Sequence, residues 1–206
     1  MRKKILTVLA PVLAIMAFAV LPAMAQASTP NLQINGSSAG LGGELQATSA
    51  NLKTQTALGN LRCGINDLNI FLFSNHHGAV NGGGFEECEI EGAGVPVDIT
   101  TNAGLGWQVI FNENDEGEVK PLAAAEGGAA ENIAFTAQIQ NGEEESLKTC
   151  TFTRASVPFT YNQGADLVIT VKANTVFNGG ACGNGTLEGS FSVAPTGEPT
   201  GQVVID

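Results

Sequence analysis

Apolar and polar residues alternate with period two in segment after segment of this chain. Leu187, Gly189, Phe191 and Val193 alternate with Thr186, Glu188, Ser190 and Ser192. Val95, Val97 and Ile99 share one face, as do Ile133, Phe135, Ala137 and Ile139, while Leu167, Ile169 and Val171 stand opposite Val168, Thr170 and Lys172. Successive strand side chains point to opposite faces, so the pattern specifies half-buried strands rather than amphipathic helices. The run Leu68 to Phe73 is apolar on both sides and is expected deep in the middle of a sheet. Five Asn-Gly pairs, beginning at Asn35, Asn81, Asn141, Asn178 and Asn184, offer the positive φ angles of tight hairpin turns. The expected fold is all-β, an antiparallel β-sandwich or barrel, because parallel strands need crossover helices. Segment 121–131, with Gly127 and Gly128, reads as a loop between two β-rich halves.

Arg2, Lys3 and Lys4 precede an apolar run from Ile5 to Val20, and Ala23-Met24-Ala25-Gln26-Ala27 follows with small residues at cleavage spacing. That is the pattern of a cleavable signal peptide over residues 1–27, too short and too closely followed by cleavage residues for a membrane span. Residues 28–206 are then expected as a single secreted, extracellular β domain beginning near Ser28, clear of the membrane once the signal is removed. The signal holds three basic residues and no acidic one, so the net charge of −11 becomes −14 after cleavage. The cations left, Lys53, Arg62, Lys120, Lys148, Arg154 and Lys172, are scattered. This excludes the clustered basic surface that binds nucleic acid or anionic lipid.

Cys63, Cys88, Cys150 and Cys182 form an even set, for which an oxidising compartment implies two disulfides. Three connectivities are possible. Pairing Cys63 with Cys88 and Cys150 with Cys182 fits because each pair brackets strand-like sequence of hairpin size, and each bridge would then staple one half of the chain. The absence of a C-x-x-C pair argues against structural zinc.

The series Cys63, Phe85-Glu86-Glu87-Cys88, a Val/Thr-rich strand and Trp107, then Cys150, Thr160-Tyr161-Asn162 and Ala181-Cys182-Gly183, resembles small exported proteins of unknown function from high-GC Gram-positive bacteria. It is more distantly similar to exported activator-of-alkane-oxidation-like proteins, although Leu105-Gly106-Trp107 lacks the proline of their Leu-Pro-Trp. The resemblance implies export and β structure and brings no catalytic residue with it.

Several residues carry candidate chemistry. Gly36-Ser37-Ser38-Ala39-Gly40 matches the G-x-S-x-G elbow, with Asp67 and His76 following in hydrolase order, but a nucleophile elbow needs preceding strands and a following helix. A flexible Gly/Ser segment is the expectation there. His76 and His77 are the only histidines, and as neighbours on a strand they would point to opposite faces, so a surface turn is expected and a metal site is the alternative. Asn112, Asn114 and Glu116 place oxygen ligands at alternating positions before Gly117, as a calcium loop does, but the twelfth position is Ala123 rather than a glutamate. A solvated hairpin tip is expected. Glu143, Glu144 and Glu145 read as a charged turn, and Trp107 and Tyr161 as core residues. The expectation is a non-enzymatic secreted protein with a binding, adhesion or extracellular structural role and no cofactor. Its partner would be an extracellular ligand or a cell-envelope component. The alternative is a small secreted hydrolase whose site is assembled from distant strands.

Overall fold

The computed structural model describes residues 29–123, 128–140, 146–198 and 200–206, so the expected signal peptide, the Asn141-Gly142 pair and Glu143 to Glu145 lie outside the described residues. The described chain is all-β. Its strands follow one another as eight spans. The first is β3 (Glu44–Ser49) continued by β4 (Lys53–Thr56); the second is β5 (Gly59–Ser74) and the third β6 (His77–Ile90). The fourth joins β7 (Val95–Thr101) to β8 (Trp107–Phe111), and the fifth β9 (Glu116–Pro121) to β10 (Ile133–Gln140). The sixth joins β11 (Ser146–Arg154) to β12 (Val157–Tyr161), the seventh β13 (Val168–Val171) to β14 (Thr175–Asn178), and the eighth β15 (Asn184–Glu188) to β16 (Ser190–Pro195). Each span pairs antiparallel with the next, and the eighth pairs with the first, closing a barrel.

The barrel has two tiers. β4, β7, β10, β11, β14 and β15 form the upper tier with one end of the β5–β6 hairpin, and β3, β8, β9, β12, β13 and β16 form the lower tier with the other end. Every tier thus takes strands from both sides of segment 121–131, and the two halves of the sequence are not two units in space. Both expected disulfides are formed, and both lie in the upper tier: Cys63 to Cys88 across β5 and β6, and Cys150 of β11 to Cys182 in the 3-10 turn Gly180–Cys182. They close loops of 25 and 32 residues, worth about 3.5 kcal/mol each on the chain-entropy model.

Alternation fills the interior. Ile133, Phe135, Ala137 and Ile139 all point inward, as do Ile169 and Val171. Phe135 stacks on Phe152 and meets Phe177 edge-on in the upper tier, and Phe111 meets Phe159 and Tyr161 edge-on in the lower. Two expectations change. The Leu68 to Phe73 run alternates after all: Ile70 and Leu72 are buried, whereas Phe71 and Phe73 are half-buried and Phe73 packs edge-on against His77. The alternating stretch from Thr186 to Val193 is two strands, broken at Gly189 where the chain passes from upper to lower tier.

Of the Asn-Gly pairs, Asn35-Gly36 turns a hairpin, with φ of 50° and 76° as a type I′ turn requires. Asn81 instead sits inside β6 at a register shift, Asn178-Gly179 leads into a 3-10 turn, and Asn184 opens β15.

Six of the eight spans break at a common level, the waist, at residues 50–52, 102–106, 122–123 with 128–132, 155–156, 172–174 and 189. Side chains supply hydrogen bonds that the broken ladder cannot. Asn51 Oδ1 accepts from the Ser190 amide, and Asn66 Nδ2 donates to the Ser49 carbonyl at 3.0 Å. Asn102 Oδ1 accepts from the Ala134 amide and the Trp107 indole at 2.8 and 2.9 Å, while its Nδ2 donates to Asn132. Arg154 donates to the carbonyls of Ser156 and Val176. The unbroken hairpin kinks at the same height: Gly64 and Ile65 are both exposed, opposite Glu86 and Glu87, and Glu87 has φ of 54°. The inward face of β5 changes there from Leu61 and Cys63 to Ile70 and Leu72.

A small sheet of β2 (Ser37–Ser38), β1 (Leu32–Ile34) and β17 (Val203–Ile205) closes the lower end. Leu32, Val203 and Ile205 are fully buried, and the Leu32 and Leu167 amides donate to Asn75 and Val203. The Ser37-Ser38 stretch is therefore a strand of this cap.

At Gly117 the wall is tight: an added Cβ would fall inside the van der Waals envelope of the Phe159 ring and against the Ile110 carbonyl. Gly117→Ala is expected to cost about 2 kcal/mol or more by overpacking, read as a lower urea midpoint at unchanged m-value.

Candidate functional site

Most of the polar residues singled out by sequence gather on the lower rim, because that is where the β5–β6 and β8–β9 turns and the end of β12 meet the cap. The Phe111 amide donates to the His76 carbonyl, which sets the two turns side by side. His76 Nδ1 lies 2.9 Å from Asn75 Oδ1, and Asn75 Nδ2 donates to Asn31 Oδ1, which also accepts from Ser38 Oγ. Ser38 and His76 thus belong to one network, separated by two amides. No base takes the serine proton in it. Asp67 is elsewhere, halfway up the wall, where it accepts from the Gly84 amide at 2.8 Å and from Gln46. Six residues of β5 separate it from Ser74 at the turn, roughly 20 Å of strand. The serine, aspartate and histidine are not brought together.

His77 Nε2 lies 2.7 Å from Gln108 Oε1 on β8, so the two histidines have separate partners. Asn112 to Asp115 form the β8–β9 hairpin turn and Glu116 opens β9, with Asn114 and Asp115 at φ of 63° and 60°. Three oxygens of this segment have partners: the Asn112 carbonyl accepts from Tyr161 Oη, the Asp115 carbonyl from the Tyr161 amide, and the Glu116 carboxylate forms an ion pair with Lys172 at 2.6 Å. Among the described residues no three His, Cys, Asp or Glu side chains come together as metal ligands. Trp107 and Tyr161 are buried in the wall, each with its polar atom bonded.

Two features escape residue-by-residue reading. One is an internal cavity of about 100 Å³ on the barrel axis, walled by side chains from all eight spans, among them Ala47, Leu61, Val80, Trp107, Ile169 and Phe177. The other is the outer face of β7, β10 and β11, where register aligns Thr100, Thr136 and Thr151 in one row and Asp98, Gln138 and Thr149 in the next. Thr136 and Thr151 share a hydrogen bond at 3.0 Å, and a shallow depression between Glu87, Asp98 and Gln140 adjoins the rows.

Burial, and then the nearby Asp115 carboxylate, raise the Tyr161 phenol above its ordinary value of 10.0. In the unfolded chain the phenol ionises near 10, so above that pH the folded state holds more protons and stability falls until the raised native value is passed. Tyr161→Phe is expected to cost about 1 kcal/mol at neutral pH for the lost hydrogen bond, and to fall less steeply than wild type above pH 10. Tyr161 is the chain's only tyrosine, so phenolate absorbance reads its titration without overlap.

Compared with known proteins, the chain matches no family model, no curated protein and no solved structure.

Proposed function

We propose that this is an exported, non-enzymatic binding protein of the extracellular space, and that its outer β7–β10–β11 face docks an uncharged, hydroxyl-rich polymer of the cell envelope. The in-register rows of four threonine hydroxyls, the Gln138 amide and the Asp98 carboxylate carry this reading. Such a surface offers many paired donors and acceptors at strand spacing, and specificity then comes from their pattern rather than from net charge.

Other observations support the setting. Two disulfides in four cysteines suit an oxidising compartment, as does the signal-like N-terminus and the resemblance to small exported bacterial proteins. The barrel is apolar inside and polar outside, the reverse of a lipid-embedded barrel. Ser38, Asp67, His76, His77 and Glu116, which the sequence offers as candidates, each have a structural partner.

Cosedimentation of the mature protein with isolated bacterial cell walls tests the proposal. Saturable retention is expected, weakened at least tenfold by Thr136→Lys/Gln138→Lys, two half-exposed changes that leave the melting temperature nearly unchanged. Retention untouched by these changes would contradict the assignment of the face. Release of soluble sugar by the protein, abolished by Ser38→Ala, would favour the hydrolase.

A further inference from the structure

We infer that the barrel interior is a binding site for one small, uncharged molecule without hydrogen-bonding groups, of the size of xenon or benzene. The site is independent of the outer face. It is the cavity of about 100 Å³ at the waist, walled by both tiers.

Eight-stranded barrels lie at the boundary where side chains just fill the interior or leave room for one small ligand. Here the waist decides the outcome. The inward face of β5 changes phase between Cys63 and Ile70, and Ala47 of β3 is a small residue facing that change, so the tiers do not interlock fully on the axis. The wall is nearly all aliphatic and aromatic. Trp107 spends its indole N–H on Asn102, and the Thr101 hydroxyl accepts from the Ala103 amide. A water needs two to four polar partners, and an apolar cavity of about this size stays dry and accepts benzene or xenon. Filling it restores dispersion contacts that the lining atoms lack, without displacing ordered water. A charged or hydrogen-bonding guest would have to strand its polar groups in the wall, a penalty large enough to exclude it.

Xenon, benzene and phenol are the probes, with the folded mature protein in solution. Titration with xenon followed by methyl chemical shifts should show one saturable site centred on Ala47, Val80 and Ile169, and benzene should raise the melting temperature in proportion to its concentration. Phenol should bind at least tenfold more weakly than benzene. Ala47→Leu, which fills the cavity, should weaken xenon binding at least tenfold, and Leu187→Ala, which enlarges it, should strengthen binding. The Leu187→Ala arm stands by itself if the larger residue at position 47 prevents folding. Absence of saturable shifts in the wild-type protein, or the same affinity in wild type and Leu187→Ala, would overturn the proposal. So would phenol binding as tightly as benzene.

Discussion

In the upper tier the barrel closes across β11 and β14 on a single backbone pair, Thr153 with Asn178. Elsewhere in the upper tier, among the described residues, neighbouring strands share two or more pairs. One pair cannot hold a sheet edge against water, and an open edge here would expose Phe152 and Phe177, which are among the most buried side chains of the chain. The Cys150–Cys182 disulfide spans this seam, tying β11 to the turn that follows β14. Arg154 and the Thr153 hydroxyl add bonds to the carbonyls of Val176 and Asn178. The upper aromatic cluster, the closed interior and the flat outer face of β7, β10 and β11 all depend on that seam staying shut.

The waist poses the same problem at a second level. A closed barrel leaves no solvent-facing edge on which to lose hydrogen bonds, so every interrupted span creates buried donors and acceptors. Asparagine side chains, short and carrying both groups, patch the breaks at Asn51, Asn66 and Asn102. Those breaks let the chain cross between tiers and let β5 change its inward face, and the cavity sits where the two packing patterns meet. The lower tier is closed by a different device, a three-stranded cap anchored on Leu32, Val203 and Ile205.

Much of this was legible in the sequence, and the parts that were not have physical reasons. Alternation at Ile133 to Ile139 is local, and it identified the strand and its buried face. Disulfide pairing followed from spacing. The break at Gly189 was hidden because period-two alternation runs straight through it: both strands keep the same inward parity although they belong to different tiers. Asn81 and Asn184 have turn chemistry but lie in strands, since their neighbours across the sheet, rather than their own propensities, fix the backbone. Closure, the cavity and the aligned threonine rows are products of register among distant strands, which no single segment encodes. Of the candidate site residues, sequence expected His76 and His77 together in a turn and Asn112 to Glu116 at a hairpin tip. His76 and Asn112 to Asp115 lie in turns, whereas His77 and Glu116 open β6 and β9, and the shared position on the lower rim comes from contacts between distant strands.

Native-state hydrogen exchange on the Cys150→Ser/Cys182→Ser protein reads the seam directly. If the disulfide holds the upper tier closed, amides of β11, β14 and β15 lose protection first, while β8, β9 and β12 of the lower tier keep theirs near the wild-type level. An equal loss in both tiers, or unchanged protection in β14, would contradict a seam that depends on the disulfide.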